Sequence, residues 1–263
     1  MDFIRKLMVP PDKKIKLAKY DPADTLGQDD DHKSKAKLDK TIKRLGDLQE
    51  LFYAVRERAL LIILQGMDAS GKDGTIRHVM SGVSPQGCSV TSFKVPNGEE
   101  LSHDFLWRIH KAVPEKGMIG IFNRSHYEDV LVVRVHKLVS QDVWKTRYDE
   151  INRFERNLSE NNITILKCFL HISKQEQKER FDERLSDPRK KWKFSKADAA
   201  ERKRWDDYVA AYEDVLSRCS TEYAPWFIIP SDHKWFRNLA ISRIIVETLE
   251  EFDMHFPKSP QPF

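Results

Sequence analysis

Gly66-Met67-Asp68-Ala69-Ser70-Gly71-Lys72-Asp73-Gly74-Thr75 satisfies the GxxxxGK spacing directly after a short apolar run, Leu60 to Leu64. In such a stretch glycines let backbone N–H groups wrap phosphate oxygens, the lysine neutralises them, and the helix behind turns its positive dipole end toward the anion. Gly66, Ala69, Ser70, Gly71, Lys72, Asp73 and Gly74 are therefore candidate phosphate- and nucleotide-binding residues. Two positions depart from the usual loop. Asp73 stands where a Ser or Thr hydroxyl usually meets Mg²⁺, and as a first-turn residue it complements the helix dipole. Asp68 puts a carboxylate inside an anion cradle, which is repulsive unless a cation lies between the charges. That makes Asp68 a candidate Mg²⁺ ligand, with an Asx turn shaping the loop as the plainer alternative.

A second polar cluster, Asn123-Arg124-Ser125-His126-Tyr127-Glu128-Asp129, follows another apolar run. Ligands of nucleotide-binding α/β sheets lie beyond the carboxyl ends of the strands, so this cluster is expected to face the same crevice as Lys72. Arg124 could there bridge donor and acceptor phosphates and stabilise charge during transfer. Glu128 and Asp129 join the candidate binding set. The alternative for Arg124 is an ion pair with Glu128 across one helical turn. His126 and Tyr127 are read as capping the core.

Placing both clusters on one crevice requires a sheet, and the chain supplies one. Leu60–Leu64, Ser89–Val95, Met118–Phe122, Ile163–Leu170 and Phe227–Ile229 read as strands, most of them nearly continuous in apolar residues. Helices are expected over Lys35–Arg58, Lys72–Ser81, Glu100–Ala112, Asp142–Glu160, Lys174–Leu185, Lys196–Arg218 and Lys234–Phe252. Alternation of this kind predicts a parallel sheet covered by helices on both faces. Residues 1–34 read as an N-terminal arm, extended and lying on the surface as far as Gln28, and residues 35–263 as one domain. With 40% hydrophobic and 33% charged residues the chain is neither disordered nor collagenous. No apolar run reaches membrane-span length, so no membrane association and a cytoplasmic address are expected. Cys88, Cys168 and Cys219 lie far apart and read as packing residues. The net charge of +4 is too mild to imply nucleic acid by itself.

Local charge says more than the sum. Arg180 to Lys196 is densely basic, with Arg180, Arg184, Arg189, Lys190, Lys191 and Lys193 interleaved with Phe181, Trp192 and Phe194. The stretch lies between the fourth and fifth strands, where P-loop kinases carry a mobile lid. A cationic lid excludes water and stabilises a reacting phosphate together. A solvated basic surface is the alternative.

GMDASGKDGT, FKVPNGEELSHDFLWRIH, FNRSHYEDVLVVRVH, DPRKKWKFSKAD and YAPWFIIPSDHKWFRNLAISRIIVETL together resemble family-2 polyphosphate kinases, over about residues 35–250. The resemblance implies a three-layer α/β/α P-loop kinase fold similar to thymidylate kinase, with a helical lid at about 174–205 and a basic channel for inorganic polyphosphate. The family's loop aspartate and lysine fall on Asp68 and Lys72, and its arginines after the third strand and in the lid fall on Arg124 and Arg184. These four are the expected catalytic residues. A polyphosphate strand carries roughly one charge per phosphate, so Arg180, Arg184, Arg189, Lys190, Lys191 and Lys193 are its expected binding residues, with affinity that falls with salt. Asn123 departs from the family's best-known class, which has a magnesium-binding aspartate there. An amide oxygen still coordinates Mg²⁺ but adds no charge, so Asp68 and Asn123 form the expected metal set. The FNRSHYED version is similar to class III members, which are associated with both nucleoside monophosphates and diphosphates. Expected are thus AMP and ADP as acceptors, guanine nucleotides as further candidates, Mg²⁺ as cofactor with Mn²⁺ able to substitute, and a dimer or tetramer. Two rivals stand beside this reading: an ATP-dependent nucleoside monophosphate kinase, and a non-enzymatic nucleic-acid binder, for which no stacking platform or groove-reading motif is found.

Overall fold

The structure is a computed structural model that describes residues 2–30, 32–189, 192 and 200–258. In chain order its main elements are α1 (Asp2–Leu7), α2 (His32–Val55), β1 (Ala59–Gln65), α3 (Lys72–Val79), β2 (Cys88–Ser92), α4 (Gly98–Leu101), α5 (Trp107–Lys111) and β3 (Ile119–Asn123). There follow α6 (Val132–Val135), α7 (Gln141–Glu160), β4 (Ile163–His171), α8 (Lys174–Ser186), α9 (Trp205–Arg218), β5 (Trp226–Pro230) and α10 (Lys234–Glu250).

The five strands form one parallel sheet in the order β2-β3-β1-β4-β5. Alternation along β1 shows why its run is apolar throughout. Leu61 and Ile63 pack with Tyr148 and Ile151 of α7 and with Ala211 and Val215 of α9. Leu60, Ile62 and Leu64 pack on the other face with Leu45 and Phe52 of α2 and with Phe236 and Ile244 of α10. A strand buried on both faces has no polar side to show. Cys168 and Cys219 are buried and Cys88 half-buried, all three as free thiols. No helix among the described residues is long and apolar enough to cross a membrane.

Several expected elements shift. The helix expected over Glu100–Ala112 is two short ones, α4 and α5. Asn97 and Glu100 close a capping box on α4, and the Asp104 carboxylate accepts from the Leu106 N–H, so the backbone takes a turn between the two helices instead of continuing. β2 stops at Ser92, ahead of Pro96, a residue that removes a ladder donor. α9 begins at Trp205 after a short 3₁₀ turn over Arg202–Arg204, whereas 196–199 fall outside the described residues.

The N-terminal segment is not an extended surface arm. It opens with α1, and Met8 then bridges Phe227 antiparallel at the β5 edge of the sheet. Val9 donates to the Trp226 carbonyl at 2.8 Å, and Ile15 donates to Ser217 Oγ at 2.8 Å. Val9, Ile15 and Leu17 are buried in the same core as α7 and α9. Its apolar residues thus do core work on a segment too irregular to show periodicity.

Candidate active site

β1 delivers the chain directly into the phosphate loop. Gly66 (φ 153°) admits no side chain, because a Cβ there would lie 2.7 Å from the Leu170 carbonyl oxygen. Lys72 opens α3 and folds back over the loop, its Nζ donating to Gly66 O at 2.7 Å and Met67 O at 3.3 Å. Burial lowers the Lys72 pKa from 10.5 to about 8, and the charge of Arg124 adds to this, against the opposing pull of Asp68, Glu128 and Asp73. The free loop therefore holds a lysine whose charge is poorly compensated, which is the condition for gripping an anion.

A pH dependence follows from this shift. Bound phosphate favours the ammonium form, so well below pH 8 Lys72 is already charged and adds no pH dependence of its own to binding. Above about 8 the free loop loses the proton, and phosphate has to restore it. Affinity for inorganic tripolyphosphate is expected to fall as pH rises from 8 toward 10, with proton uptake on binding. Calorimetry in buffers of different ionisation enthalpy reads both; affinity flat to pH 10 would contradict the assignment.

β3 runs beside β1, with Asn123 in register with Leu64. Arg124 follows in the left-handed region at φ 64°, its N–H bound to Leu64 O at 3.1 Å. Backbone held in this region by a non-glycine residue is strained, and such strain concentrates at functional sites. The turn aims Arg124 at the loop: its Nη2 donates to Asp68 Oδ1 at 2.9 Å, while Asn123 Nδ2 donates to Asp73 Oδ1 at 2.7 Å. Both polar clusters thus meet in one crevice. The ion pair of Arg124 is with Asp68, not with Glu128. Burial opposes the Arg124 charge, but Glu128 and then Asp68 hold it more firmly protonated than usual.

Asp129 does not join the crevice. Its carboxylate and its carbonyl both accept from Arg147 Nη1 at 3.1 Å, and burial raises its pKa against the opposing Arg147 charge. A carboxylate tied down in this way is spent on docking α7. His126 and Tyr127 are fully buried, in agreement with a core role.

Asp68, Asp73 and Asn123 offer hard oxygen donors beside the loop. Among the described residues no three His, Cys, Asp or Glu side chains converge as a metal cage. That donor set fits Mg²⁺, which keeps several waters and is held by one or two protein oxygens together with substrate phosphates.

α8 carries the predicted basic residues, and the structure divides them. Gln177 Nε2 donates to Asp68 O at 2.9 Å. Arg180, predicted to bind polyphosphate, is 5% exposed and has all its donors engaged. It holds Ala69 O and Ser70 O through Nη1, Ser231 O and Asp232 O through Nη2, and Glu176 through Nε. Arg180 is therefore a clamp on the phosphate loop, not a polymer ligand. Arg184, one turn further along α8, is half-buried with its guanidinium 5.6 Å from the Phe181 ring centroid. Arg189 is exposed and paired with Asp187. Lys190, Lys191 and Lys193 lie outside the described residues. On the returning limb, Arg202 reaches Gln177 Oε1 at 2.9 Å.

Behind Arg124 lies a buried ionic network that the sequence reading did not single out. Lys167 Nζ on β4 donates to Glu155 Oε2, to Tyr127 Oη at 3.0 Å and to Cys219 O at 2.6 Å. Glu155 Oε1 accepts from Tyr127 Oη at 2.8 Å and meets His126 Nε2 at 3.2 Å. Burial is the largest influence and disfavours the Glu155 charge, but Lys167 and His126 together outweigh it and keep the carboxyl below the ordinary range. The network fastens the turn that carries Arg124 to α7 and β4. Glu155→Gln leaves Lys167 buried without its counter-ion and is expected to cost about 3–5 kcal/mol, read as a shift of the urea midpoint. A loss below about 1 kcal/mol would mean that the network does not hold this turn.

Fold and crevice together define a phosphate-loop α/β protein built to bring two phosphate-bearing ligands together over a charged loop. The sequence profile of the Polyphosphate kinase 2 (PPK2) family matches residues 28–257, and the chain belongs to that family. It is 50% identical over 256 residues to the AMP/ADP-polyphosphate phosphotransferase of Meiothermus ruber, an alignment covering 97% of this chain and 96% of that one. It is 49% identical over 230 residues to the ADP-polyphosphate phosphotransferase of Rhodopseudomonas palustris, covering 83% and 80%. The crystal structure of Polyphosphate Kinase 2 from Arthrobacter aurescens TC1 superposes with a TM-score of 0.95 at 42% identity, over 99% of this chain and 93% of that one.

Proposed function

We propose that this chain transfers the terminal phosphoryl group of inorganic polyphosphate to AMP and ADP, reversibly and with Mg²⁺. The observation that carries the reading is the crevice in which Lys72 closes the phosphate loop while Arg124, at 2.9 Å from Asp68, faces it from the neighbouring strand. The near full-length similarity to the Meiothermus ruber AMP/ADP-polyphosphate phosphotransferase supports the choice of donor and acceptors. An oxygen of the acceptor's phosphate, already ionised at neutral pH, forms the new P–O bond, and the donor chain leaves one phosphate shorter. Little proton transfer is needed, so positioning and charge stabilisation by Lys72, Arg124 and Arg184 carry the rate. In the free protein the Asp68 carboxylate holds the Arg124 guanidinium beside the loop before substrate arrives.

Phosphotransferases of this family generally call for a divalent cation. Asp68 and Asn123 would hold it, and when bound it neutralises phosphate oxygens. The stretch at about 174–205 is assigned as the lid, and Arg184, Arg189, Lys190, Lys191 and Lys193 are assigned to polymer binding on the basic character of the sequence there.

A donor–acceptor matrix tests the reading: polyphosphate or ATP against AMP, ADP, GMP and GDP, with and without Mg²⁺. ATP formed from ADP and polyphosphate, with ADP disproportionation controlled, is the expected result. Transfer from ATP but not from polyphosphate would instead mark an ordinary nucleoside monophosphate kinase. Nucleic-acid binding that survives mutation of the loop, with no nucleotide turnover, would mark a binding protein.

A further inference from the structure

Two guanidiniums are buried side by side beneath the phosphate loop. Arg180 is saturated, with Glu176 among its partners. Arg237, in the first turn of α10 and 3% exposed, is different. Its Nη1 donates to Ser70 O at 3.2 Å, and its Nε and Nη2 share the amide oxygen of Asn238 at 3.2 and 2.9 Å. Among the described residues no carboxylate pairs with it: burial, and then the charge of Arg180, act on it, and both lower its pKa, to about 9. Buried arginines ordinarily come with an acid, because a lone charge in a low-dielectric site is costly. Here the second cation worsens the imbalance.

The loop is built around this side chain. A Cβ on Gly71 would lie 1.9 Å from Arg237 Nη1, and one on Gly74 would lie 3.5 Å from Nη2. Glycine at these positions leaves the space that the guanidinium fills. Across a trans peptide the carbonyl and the next N–H point opposite ways. Drawing Ser70 O toward the two arginines therefore turns the Gly71 N–H away from them, toward the crevice. Ser70 Oγ and Thr75 Oγ1 are also buried without a partner beside this peptide.

We propose that Arg237 is a positioning residue for phosphoryl transfer: its fork fixes the Ser70–Gly71 peptide with the Gly71 N–H turned to the anion, and its charge is balanced when phosphate fills the loop. The inference rests on the phosphate-transfer reading above, which tripolyphosphate binding by the parent protein tests first. If the parent does not bind it, that reading fails before this one is reached.

The test compares the parent with Arg237→Gln and Arg237→Lys, using inorganic tripolyphosphate as the calorimetric probe and polyphosphate with ADP for turnover. Arg237→Gln keeps a donor but loses the charge, and is expected to bind tripolyphosphate about tenfold more weakly, the weight of a charged hydrogen bond, with an unliganded melting point at or above that of the parent. Arg237→Lys keeps the charge and the affinity but cannot hold Ser70 O and Asn238 together, so its kcat is expected to fall about tenfold or more. Parental affinity in folded Arg237→Gln, or parental kcat in Arg237→Lys, overturns the proposal. A lowered melting point with both parameters unchanged in the folded fraction also overturns it, since that is a purely structural role. Should Arg237→Gln fail to fold, the kcat of Arg237→Lys decides alone.

Discussion

Lys72→Met is expected to lower kcat by about 10³-fold, since it removes a preorganised cation from the charge that develops in transfer. The same substitution raises the stability of the unliganded protein. Lys72 is buried and its pKa drops from 10.5 to about 8. At neutral pH it is charged in both folded and unfolded chains, and the fold bears the cost of desolvating it, roughly 3 kcal/mol at 1.36 kcal/mol per pKa unit. That cost is fully present below pH 8 and vanishes as pH rises toward 10.5. A methionine of similar length has no charge to desolvate. The stability gap between variant and parent should therefore be widest at neutral pH and close in alkaline solution. Chemical denaturation at pH 7 and pH 10 checks this. A variant that is less stable than the parent at pH 7, or one with near-normal turnover, would contradict the role given to Lys72.

Arg124→Ala is expected to cost about 10³-fold in kcat, the lower end of what a transition-state arginine contributes. Its binding of ground-state nucleotide should change far less, because the role proposed for the guanidinium is to bridge the two phosphates during transfer. Stability should barely move. The ion pair with Asp68 is partly exposed, at 41% and 26% for the two side chains, and such pairs contribute little. Arg124→Lys retains a charge but not the planar fork, and should recover only a small part of the loss. Steady-state kinetics with ADP varied at saturating polyphosphate separates the two parameters. A rise in KM with kcat unchanged would place Arg124 in simple binding rather than in the transfer step.

Much of this site was legible in the residues themselves. The apolar runs of β1, β4 and β5 and the loop ending in Lys72 locate the crevice, and the polar cluster after β3 could be assigned to the same rim because parallel strands end on one side. Arg180 was not legible, because helical spacing alone does not say whether a basic residue faces solvent or loop backbone. Arg237 was missed for a related reason: it falls among the apolar Phe236, Leu239 and Ala240 in a helix that was read without assigning its residues a role. A signal for the Lys167–Glu155 pair was present. Lys167 is a lone charge inside the strand Ile-Thr-Ile-Leu-Lys-Cys-Phe-Leu-His, and Glu155 stands at helical spacing between the buried Ile151 and Leu158. Two opposite charges on two buried faces imply each other. Burial of the N-terminal segment had no such signal, since Val9, Ile15 and Leu17 are packed by contacts to β5 and α9 that lie far away in the chain.

The way α8 is fastened bears on the phosphate loop itself. Its early turns are laced to the carbonyls of Asp68, Ala69 and Ser70 through Gln177 and Arg180, and the helix runs unbroken to Ser186. A helix rooted in this way is continuous with the loop it holds. A displacement of its outer end at Ser186 therefore reaches the phosphate loop directly, through the same Gln177 and Arg180 hydrogen bonds.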